Sequence, residues 1–332
     1  MIAVVIPCYK VSAHICDLIQ RISSDVNAIF VVDDCCPEST GKLVERTCTD
    51  PRITVIFHEN NQGVGGAVIT GYQAAIQAGA EVIVKLDGDG QMDPALIPAF
   101  IAPILRGEAD YTKGNRFFDV ETAQQMPIVR LIGNVGLSFL TKLSSGYWNL
   151  FDPTNGYTAI SAKVAERLPI EKISRRYFFE SDMLFRLNTF RAVVLDIPMF
   201  AEYGEEQSNL NVSRELPRFL FKNLRNLCKR IVYNYFIRNF SYSSLELIFG
   251  LLFLAFGITF GTISWIELSL QGTLASAGTV MLAALPIIMG LQLILGFINY
   301  DMANVPTVPL QIRLHSDARV YAKRHKSNNP AA

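Results

Sequence analysis

The first two hundred positions of the chain alternate short apolar runs, rich in β-branched residues, with longer stretches of helical periodicity. Glycine, proline, asparagine and aspartate separate many of these segments, as they do in sheets built from parallel strands. This alternation predicts an α/β domain with a mostly parallel sheet covered by helices on both faces. The predicted strands are 2–7, 28–33, 53–58, 81–86, 109–115 and 192–198, and the predicted helices are 12–24, 39–48, 64–79, 94–106, 127–145 and 178–190.

The last third of the chain follows another pattern. Residues 245–270 and 274–300 are nearly free of charge, and each is longer than the roughly 20 residues that cross a bilayer. They predict two transmembrane helices. Before them, residues 214–238 hold seven Lys or Arg against one acid, Glu215, with apolar residues at helical spacing. Such a segment is typical of a basic amphipathic helix in an anionic membrane interface.

The distribution of positive charge predicts the orientation of these helices. The connection between the two apolar segments holds no Lys or Arg, whereas both flanks are basic, so both flanks are expected on the cytoplasmic side. We therefore expect a multi-pass protein of the inner (cytoplasmic) membrane with its catalytic domain in the cytoplasm. The predicted parts are a cytoplasmic domain over 1–213, juxtamembrane amphipathic helices over 214–242, two transmembrane helices over 243–301 and a cytoplasmic tail over 302–332.

Composition excludes several other classes of protein. The chain has 332 residues, with 30 Lys or Arg balanced by 30 Asp or Glu, so its net charge gives no reason to expect a nucleic-acid partner. The six cysteines include no CxxC pair and show no disulfide-framework spacing, which predicts reduced thiols rather than a structural zinc site.

The stretch VKLDGDGQMDP, residues 84–94, concentrates acids directly after a predicted strand. Its oxygen-bearing side chains at alternating positions suit Mg²⁺ or Mn²⁺, which commonly keeps coordination positions for substrate phosphates. Asp93 before Pro94 fits a helix N-cap, which leaves Asp87, Asp89 and Gln91 for metal and nucleotide. The alternative is an acidic surface turn that leads into a helix.

Other polar residues follow the ends of neighbouring predicted strands. Pro7 and Tyr9 end the first strand, and Asp33 and Asp34 end the second. Ligands of parallel α/β sheets bind at the carboxyl ends of the strands, so these residues are expected beside the acidic loop.

Two arginines predict a phosphate site. Arg116 follows a predicted strand, and Arg130 shares one helical face with Asn134 and Ser138. Two guanidinium groups with amide or hydroxyl donors suit a phosphate monoester. The alternative is that Arg130 lies on the surface of an interfacial helix.

The glycine-rich stretch NQGVGGAVITG, residues 61–71, differs in spacing from the GxGxxG fingerprint of dinucleotide-binding folds. It predicts a tight turn into a helix packed on the sheet, with Gly63, Gly65 and Gly66 serving backbone geometry.

Five segments together carry a family resemblance: VVIPCYK (4–10), VVDDCCPEST (31–40), NQGVGGAVITGYQAA (61–75), LDGDGQMDP (86–94) and KGNRF (113–117). Over roughly residues 2–210 the chain resembles the family 2 glycosyltransferases of Rossmann-like GT-A fold. Within that family it is similar to dolichol-phosphate mannose synthases and bacterial polyprenyl-phosphate glycosyltransferases. The resemblance implies that Asp89 and Gln91 bind the metal, and that the nucleotide-sugar is bound by Pro7, Tyr9, Asp33, Asp34 and Asp87.

The resemblance also implies an activity. In these synthases, arginines at the positions of Arg116 and Arg130 hold the lipid phosphate, with a small polar residue at the position of Asn134. The implied enzyme is a metal-dependent, inverting hexosyltransferase that moves a sugar from UDP-hexose or GDP-mannose to a polyprenyl phosphate. Its implied catalytic residues are Asp89, Arg116, Arg130 and Asp182. Its partners are the nucleotide-sugar, the polyprenyl phosphate and the membrane, and homo-oligomerisation stays open.

Two further hypotheses stay open. A hydroxyl of a lipid-linked glycan as acceptor would need a general base, and YFFESDMLFRL (177–187) offers Glu180 and Asp182, of which Asp182 matches the expected position. A phosphate acceptor needs no base, because its second pKa lies near 6. A non-catalytic membrane scaffold is the third class, and the intact acidic loop argues against it. Asp152 in FDPTNGY fits either a turn or a wall of the donor-sugar site.

Overall fold

The computed structural model describes residues 1–118, 128–199 and 212–314. In the helices that border the gaps, the side chains of residues 128–132, 134 and 212–215 are also outside the description. The chain forms two compact units. The first contains residues 1–227 together with the segment that begins at Pro306, and the second contains residues 228–305.

The first unit is built on a seven-stranded sheet with strand order β3-β2-β1-β4-β6-β5-β7. Six strands run in one direction, and β6 runs antiparallel to both β4 and β5. The strands are β1 (Ile2–Cys8), β2 (Ala28–Asp33), β3 (Ile53–Phe57), β4 (Val82–Lys85), β5 (Tyr111–Asn115), β6 (Thr158–Ser161) and β7 (Val194–Pro198). Strand β6 was missing from the predicted set, because a run of four residues carries little periodic signal.

Helices complete the layers of this α/β unit, and the predicted mostly parallel α/β fold is confirmed. In chain order they are α1 (Ile15–Gln20), α2 (Thr40–Thr47), α3 (Val64–Gln77), α4 (Ile97–Leu105), α5 (Ile128–Ser145), α6 (Ala162–Arg167) and α7 (Phe179–Thr189). The helix α8 (Val212–Ile231) continues beyond this unit. The central strands are almost wholly buried, as near-continuous apolar runs in parallel sheets require.

The glycine-rich stretch at the start of α3 brings the helix close to its neighbours, as the sequence predicts. A Cβ atom at Gly71 would collide with Val5 of β1, and one at Gly65 would lie 2.5 Å from the carbonyl oxygen of Ser174. Gly63 adopts a φ of +85°, a conformation that disfavours other residues. These glycines allow close helix packing and serve no phosphate loop of the dinucleotide type.

A segment from beyond the apolar helices packs on the first unit through Asp110. This buried carboxylate accepts hydrogen bonds from the backbone N–H groups of Val193 (2.7 Å), Leu310 (2.7 Å) and Gln311 (2.8 Å). Burial raises the pKa of Asp110, although these three donors oppose the increase. The segment around residue 310 is therefore part of the first unit, whereas the sequence placed it in a separate tail.

Helix α8 turns polar residues inward within the first unit. Asn223 accepts a hydrogen bond from Ser144 (2.6 Å), and Asn226 donates one to Asp182 (3.0 Å). Both asparagines are buried. The exposed face carries large apolar residues instead, namely Leu216, Leu220, Phe221 and Leu224.

The second unit contains two long apolar helices, α9 (Tyr242–Gln271) and α10 (Ala277–Ala303). Their mean hydropathies over 18-residue windows reach 2.1 and 2.3, so both are long and apolar enough to cross a membrane. They pack antiparallel through small residues. A Cβ atom at Gly250 would lie 2.8 Å from Ile294, and one at Gly257 would lie 2.8 Å from the carbonyl oxygen of Ala283.

A buried ion pair closes one end of the second unit. The Arg230 guanidinium donates to Asp301 through Nη1 to Oδ1 (2.6 Å) and Nη2 to Oδ2 (2.9 Å). The hydroxyl of Tyr235, in a π-helix over Val232–Arg238, donates to the same carboxylate at 2.5 Å. All three side chains are buried. This network fixes the last turn of α8 to the end of α10.

Candidate active site

One edge of the sheet collects the polar residues of the first unit. The carboxyl ends of β1, β2, β4 and β5 lie there together with the amino end of β6, because β6 runs in the opposite direction. Strand order reverses at β1, which pairs with both β2 and β4. Open α/β sheets bind ligands in the crevice at such a reversal.

Asp33 and Asp34 shape this edge from within. The Asp33 carboxylate accepts the backbone N–H groups of Cys36 and Gly41, both at 2.7 Å. Asp33 is buried, so it organises the loop after β2 rather than presenting its oxygens to a base. A role of Asp33 in binding the nucleotide-sugar stays a prediction.

Asp34 is also engaged by hydrogen-bond donors within the protein, and its role at the nucleotide stays a prediction. Its carboxylate accepts the backbone N–H groups of Gln62 (2.8 Å) and Gly63 (2.7 Å), and it lies 2.7 Å from Nδ1 of His58. The residue is buried and joins the end of β2 to the start of α3. It is a brace between two loops.

The loop after β1 presents the residues expected at a nucleotide. Pro7 is buried in β1, in register with Val32, whereas the Tyr9 side chain is 47% exposed. The following residue, Lys10, has a φ of +59°, and its N–H donates to the Cys36 thiol at 3.1 Å. The turn thus fixes the backbone and leaves the Tyr9 ring accessible to a ligand.

A buried lysine anchors the acidic loop after β4. The Lys85 ammonium lies 2.8 Å from Asp87 and 3.2 Å from Glu180. Burial acts to lower the pKa of Lys85, but the two carboxylates outweigh it and raise the pKa above its ordinary value. A Cβ atom at Gly156 would collide with the Asp87 carboxylate and lie 2.6 Å from the Lys85 nitrogen. Only a glycine lets the chain pass so close to this ion pair.

Asp89 and Gln91 lie on the partly exposed part of the same loop. The N–H of Gln91 donates to the Asp89 carboxylate at 3.1 Å, which holds the two residues together. Among the residues that the structure describes, no group of three His, Cys, Asp or Glu side chains is placed to hold a metal. A site with only one or two protein ligands is compatible with Mg²⁺, because this ion usually completes its coordination shell with water and substrate phosphates. Asp93 accepts the N–H of Ala95 at 3.1 Å, which confirms its predicted capping role.

Arg116 is held in place by Asp152, which the sequence indicated to be either a turn residue or part of the donor-sugar site. Its Nε lies 2.7 Å and its Nη2 3.1 Å from the two oxygens of Asp152. Asp152 is 1% exposed, whereas the Arg116 side chain is 29% exposed. The guanidinium is thus anchored on its inner side and reaches the surface of the site. A bidentate pair of this kind restricts the arginine to one orientation.

More buried ionisable groups lie beneath the Arg116–Asp152 pair. Lys113 donates to the carbonyl oxygen of Asn155, and burial lowers the pKa of Lys113 to about 8. Asp196 accepts hydrogen bonds from Asn115 and from the Phe151 N–H, both at 3.1 Å, through one oxygen. Burial raises the pKa of Asp196 to about 6. Its other oxygen accepts no hydrogen bond from the described residues.

The remaining members of the predicted phosphate site fall in α5. The side chains of Arg130 and Asn134 lie outside the described residues, so their roles stay predictions. Ser138, predicted on the same helical face, is buried and donates to the carbonyl oxygen of Phe151 at 2.6 Å.

The two candidate bases on α7 have different surroundings. Asp182 is 4% exposed, and its oxygens accept the Ser174 N–H (2.9 Å) and the Asn226 amide (3.0 Å), with Arg186 also within 3.4 Å. This environment suits a structural carboxylate, and the catalytic role of Asp182 stays a prediction. Glu180 lies beside Lys85 at the polar edge instead, with its side chain 12% exposed.

Comparison with known proteins decides the family. The sequence profile of the family described as "Glycosyl transferase family 2" matches residues 3–168, half of the chain. The chain belongs to this family. The matched residues include those that carry Tyr9, the acidic loop and Arg116.

Several proteins of this kind are similar over most of their own length. A UDP-N-acetylglucosamine–dolichyl-phosphate N-acetylglucosaminyltransferase of Methanococcus voltae is 29% identical over 62% of this chain and 87% of its own. An undecaprenyl-phosphate mannosyltransferase of Micrococcus luteus is 29% identical over 52% and 70%. A polyprenol monophosphomannose synthase of Mycolicibacterium smegmatis is 27% identical over 59% and 75%.

A solved structure shares the fold of this family 2 domain. Glucosyl-3-phosphoglycerate synthase from Mycobacterium tuberculosis, crystallised with Mn²⁺, UDP-glucose and phosphoglyceric acid, superposes with a TM-score of 0.52. It is 19% identical, and the match covers 69% of this chain and 79% of that one. This likeness confirms the GT-A fold expected from the sequence.

Sequence reasoning missed three residues of this glycosyltransferase site. Lys85 had a readable signal, because a lysine inside the apolar run VIVKL must find counter-ions when the strand is buried. Lys113 and Asp196 also lie in strands, but nothing in their local sequence indicates which carboxylates or amides surround them.

Proposed function

We propose that this chain is an inverting glycosyltransferase that moves a hexose from a nucleotide-sugar, UDP-hexose or GDP-mannose, to a membrane polyprenyl phosphate. The observation that carries the proposal is the shared sheet edge, where the Asp87–Gln91 loop follows β4 and the anchored guanidinium of Arg116 follows β5, with β6 between the two strands. A donor diphosphate and an acceptor phosphate need these two kinds of group. Relatives named for transfer to dolichyl, undecaprenyl and polyprenol phosphates support a lipid phosphate as acceptor.

The donor binds at the ends of β1, β2 and β4. The exposed Tyr9 ring offers a flat apolar face to the nucleobase, while Asp33 and Asp34 hold the surrounding loops. Asp87, paired with Lys85, faces the nucleotide. Asp89 and Gln91 would hold Mg²⁺ or Mn²⁺, which when bound offsets the charge of the departing diphosphate. A relative of the same fold was crystallised with Mn²⁺ and UDP-glucose, which supports such an ion.

The acceptor phosphate binds Arg116, with Arg130 and Asn134 completing the site from α5. The Asp152 carboxylate fixes the Arg116 guanidinium, so little side-chain entropy is lost when a phosphate binds. A phosphate monoester is already ionised at neutral pH. Its oxygen attacks the anomeric carbon without a base, and the enzyme supplies position and charge compensation.

The site works beside a membrane. Helices α9 and α10 have the length and hydropathy of transmembrane helices. The exposed face of α8 carries Leu220, Phe221 and Leu224 next to basic residues, a combination suited to an anionic lipid interface. We propose a multi-pass protein of the inner (cytoplasmic) membrane, with the catalytic unit on the cytoplasmic side, where the flanking Lys and Arg place it.

A second candidate function is transfer to a hydroxyl of a lipid-linked glycan. Glu180 favours it, because this carboxylate lies within the Lys85–Asp87 cluster, where a general base would be required. The Glu180 carboxylate already accepts a hydrogen bond from the Lys85 ammonium at 3.2 Å, so one of its oxygens is engaged within the protein. Transfer to a lipid phosphate thus remains the better supported reaction.

One assay separates these functions. Membranes that contain the full-length protein are incubated with radiolabelled nucleotide-sugars, a divalent cation and added polyprenyl phosphate, and the lipid product is tested for lability in mild acid. We expect an acid-labile polyprenyl-phosphate sugar from one donor, and no product when the cation is chelated. Label that appears only on a lipid-linked glycan, independent of added polyprenyl phosphate, contradicts the proposal.

A further inference from the structure

Two cysteines that are far apart in sequence have their sulfur atoms in contact. Cys16 lies in the first turn of α1 and Cys48 directly follows α2, and their Sγ atoms are 3.5 Å apart. Both side chains are half-buried. The packing of α1 against α2 brings together sulfurs that belong to residues 32 positions apart.

The neighbouring atoms hold the two thiols in this arrangement. The Cys48 thiol donates to the Cys16 sulfur, and the Thr47 hydroxyl lies 3.2 Å from that sulfur. Thr47 itself donates to the carbonyl oxygen of Leu43 at 2.7 Å, so its oxygen is fixed. Burial, followed by the hydrogen bond with Cys16, raises the pKa of the Cys48 thiol, which keeps it in the protonated, donating form.

We propose that Cys16 and Cys48 form a reversible disulfide that links α1 to the end of α2 when the protein meets a disulfide oxidant. A disulfide bond has sulfurs about 2.05 Å apart, so the two sulfurs must approach by roughly 1.5 Å, which rotation of the side chains can supply. The two sulfurs are already neighbours, and they lie in and directly after two helices that pack against each other.

The reaction balances with oxidised glutathione as the oxidant. The Cys16 thiolate attacks one sulfur of oxidised glutathione, which forms a mixed disulfide and releases one glutathione thiolate. The Cys48 thiol then loses its proton to solvent, and the resulting thiolate attacks the Cys16 sulfur and releases the second glutathione. The protein loses two protons and two electrons, and the oxidant gains both as two molecules of reduced glutathione.

The position of the bond predicts its effect. Helix α1 follows the loop that carries Tyr9, and α2 follows the loop organised by Asp33. A link between these helices removes conformational freedom from the unfolded chain, which stabilises the folded unit. We therefore expect oxidation to raise the thermal midpoint by roughly 5 °C or more.

Oxidation of the full-length protein in detergent tests the proposal. The protein is treated with oxidised glutathione, quenched by alkylation, digested without reductant and analysed by mass spectrometry. We expect a peptide pair joined between Cys16 and Cys48, its loss after dithiothreitol, and the higher thermal midpoint only in the oxidised form. In Cys16→Ser and Cys48→Ser variants the linked pair and the thermal shift should both be lost.

Matched controls use the exposed cysteines Cys35 and Cys228. Cys35→Ser and Cys228→Ser should leave the Cys16–Cys48 link and the thermal shift unchanged. Glutathione found on Cys35 or Cys228 while Cys16 and Cys48 stay separate would overturn the proposal, and so would a link to another cysteine. Because peptide mapping of the unaltered protein gives this answer, a variant that fails to fold does not obscure it.

Discussion

The guanidinium of Arg116 and the carboxylate of Asp152 form a bidentate ion pair, with Nε 2.7 Å from Oδ2 and Nη2 3.1 Å from Oδ1. The acid is buried and the base reaches the surface. A buried carboxylate needs a positively charged partner, so the Asp152 side chain holds the Arg116 guanidinium in one position at the edge of the candidate active site. Asp152 therefore acts through Arg116 and is a positioning residue.

Changing either member of this pair should affect the acceptor more than the donor. Arg116→Lys keeps the charge but loses the bidentate geometry, and we expect the rate of transfer to polyprenyl phosphate to fall by about 100-fold. Asp152→Asn should raise the KM for polyprenyl phosphate by about 10-fold through loss of orientation. Both variants should bind the nucleotide with unchanged affinity in calorimetry.

Arg106 supplies the control for these variants. Its side chain is exposed and forms an ion pair with the nearby Glu108 at 2.7 Å. Arg106→Lys should transfer sugar at the normal rate. Normal transfer by Arg116→Lys as well would remove Arg116 from the acceptor site.

The acidic loop should control binding of the donor through the cation. Asp89→Asn removes a charged oxygen from the proposed metal site, and we expect nucleotide affinity in the presence of Mn²⁺ to fall by about 10-fold or more. Calorimetric titrations with UDP or GDP, with the cation and with chelator, measure this effect. Asp93→Asn keeps a capping residue outside the metal site and should bind as the unaltered protein does. Equal affinity with cation and with chelator would contradict the metal assignment.

Variants of the two acidic residues of α7, Asp182 and Glu180, should distinguish an effect on folding stability from an effect on activity. Asp182→Asn places an amide against the donors Ser174 N–H and Asn226, and we expect a loss of roughly 1–3 kcal/mol of folding free energy. The kcat of the protein that stays folded should change little. Thermal unfolding and kcat measured on the same preparation give both quantities.

A large decrease in kcat without loss of stability in Asp182→Asn would instead indicate that Asp182 is a general base. Glu180→Gln provides the comparison, because Glu180 lies beside Lys85. Under transfer to a lipid phosphate it should lower the rate only moderately, with no change in the pH profile. A loss of the acidic limb of that profile, where a general base becomes protonated, would favour a hydroxyl acceptor.

Asp196 should make folding depend on pH. Its pKa in the folded protein is raised to about 6, above the ordinary value of an aspartate, so the folded state binds the proton more tightly than the unfolded chain. This contribution to stability is complete below about pH 4 and is lost as the pH rises through about 6. The lost amount is about 3 kcal/mol for a shift of this size.

Asp196→Asn cannot ionise and keeps an acceptor for Asn115 and the Phe151 N–H. Its stability relative to the unaltered protein should therefore increase between about pH 4 and about pH 7. Thermal unfolding in detergent at several pH values tests this. Parallel curves for the two proteins over that range would show that Asp196 ionises normally.

The second unit depends on its buried ion pair. Asp301→Ala leaves the Arg230 guanidinium buried without its bidentate partner, and we expect a loss of roughly 3–5 kcal/mol. Limited proteolysis around residues 228–240 should become faster in this variant. Glu246→Gln, in the same pair of helices, is the control: it keeps a side chain of the same size next to Gly296 and should leave proteolysis unchanged.

The sequence by itself determined the architecture and indicated one edge of the sheet as the candidate site. Alternation of apolar runs and helical stretches specifies a parallel sheet, and the topology of such sheets places ligands at the carboxyl ends of the strands. The two apolar helices follow from length and hydropathy alone. Asp89, Gln91 and Arg116 were predicted as site residues because they follow directly after predicted strands, and their roles stay predictions.

The tertiary structure decided which acids face a ligand and which hold the protein together. The sequence alone does not distinguish Asp33, Asp34 and Asp182 from Asp87. In the structure the carboxylates of these three residues accept hydrogen bonds from donors within the protein. The donors come from distant parts of the chain, such as Asn226, which lies 44 positions after Asp182. Burial and hydrogen bonding arise only when those segments pack together, and they set whether a carboxylate is a brace, a base or a ligand.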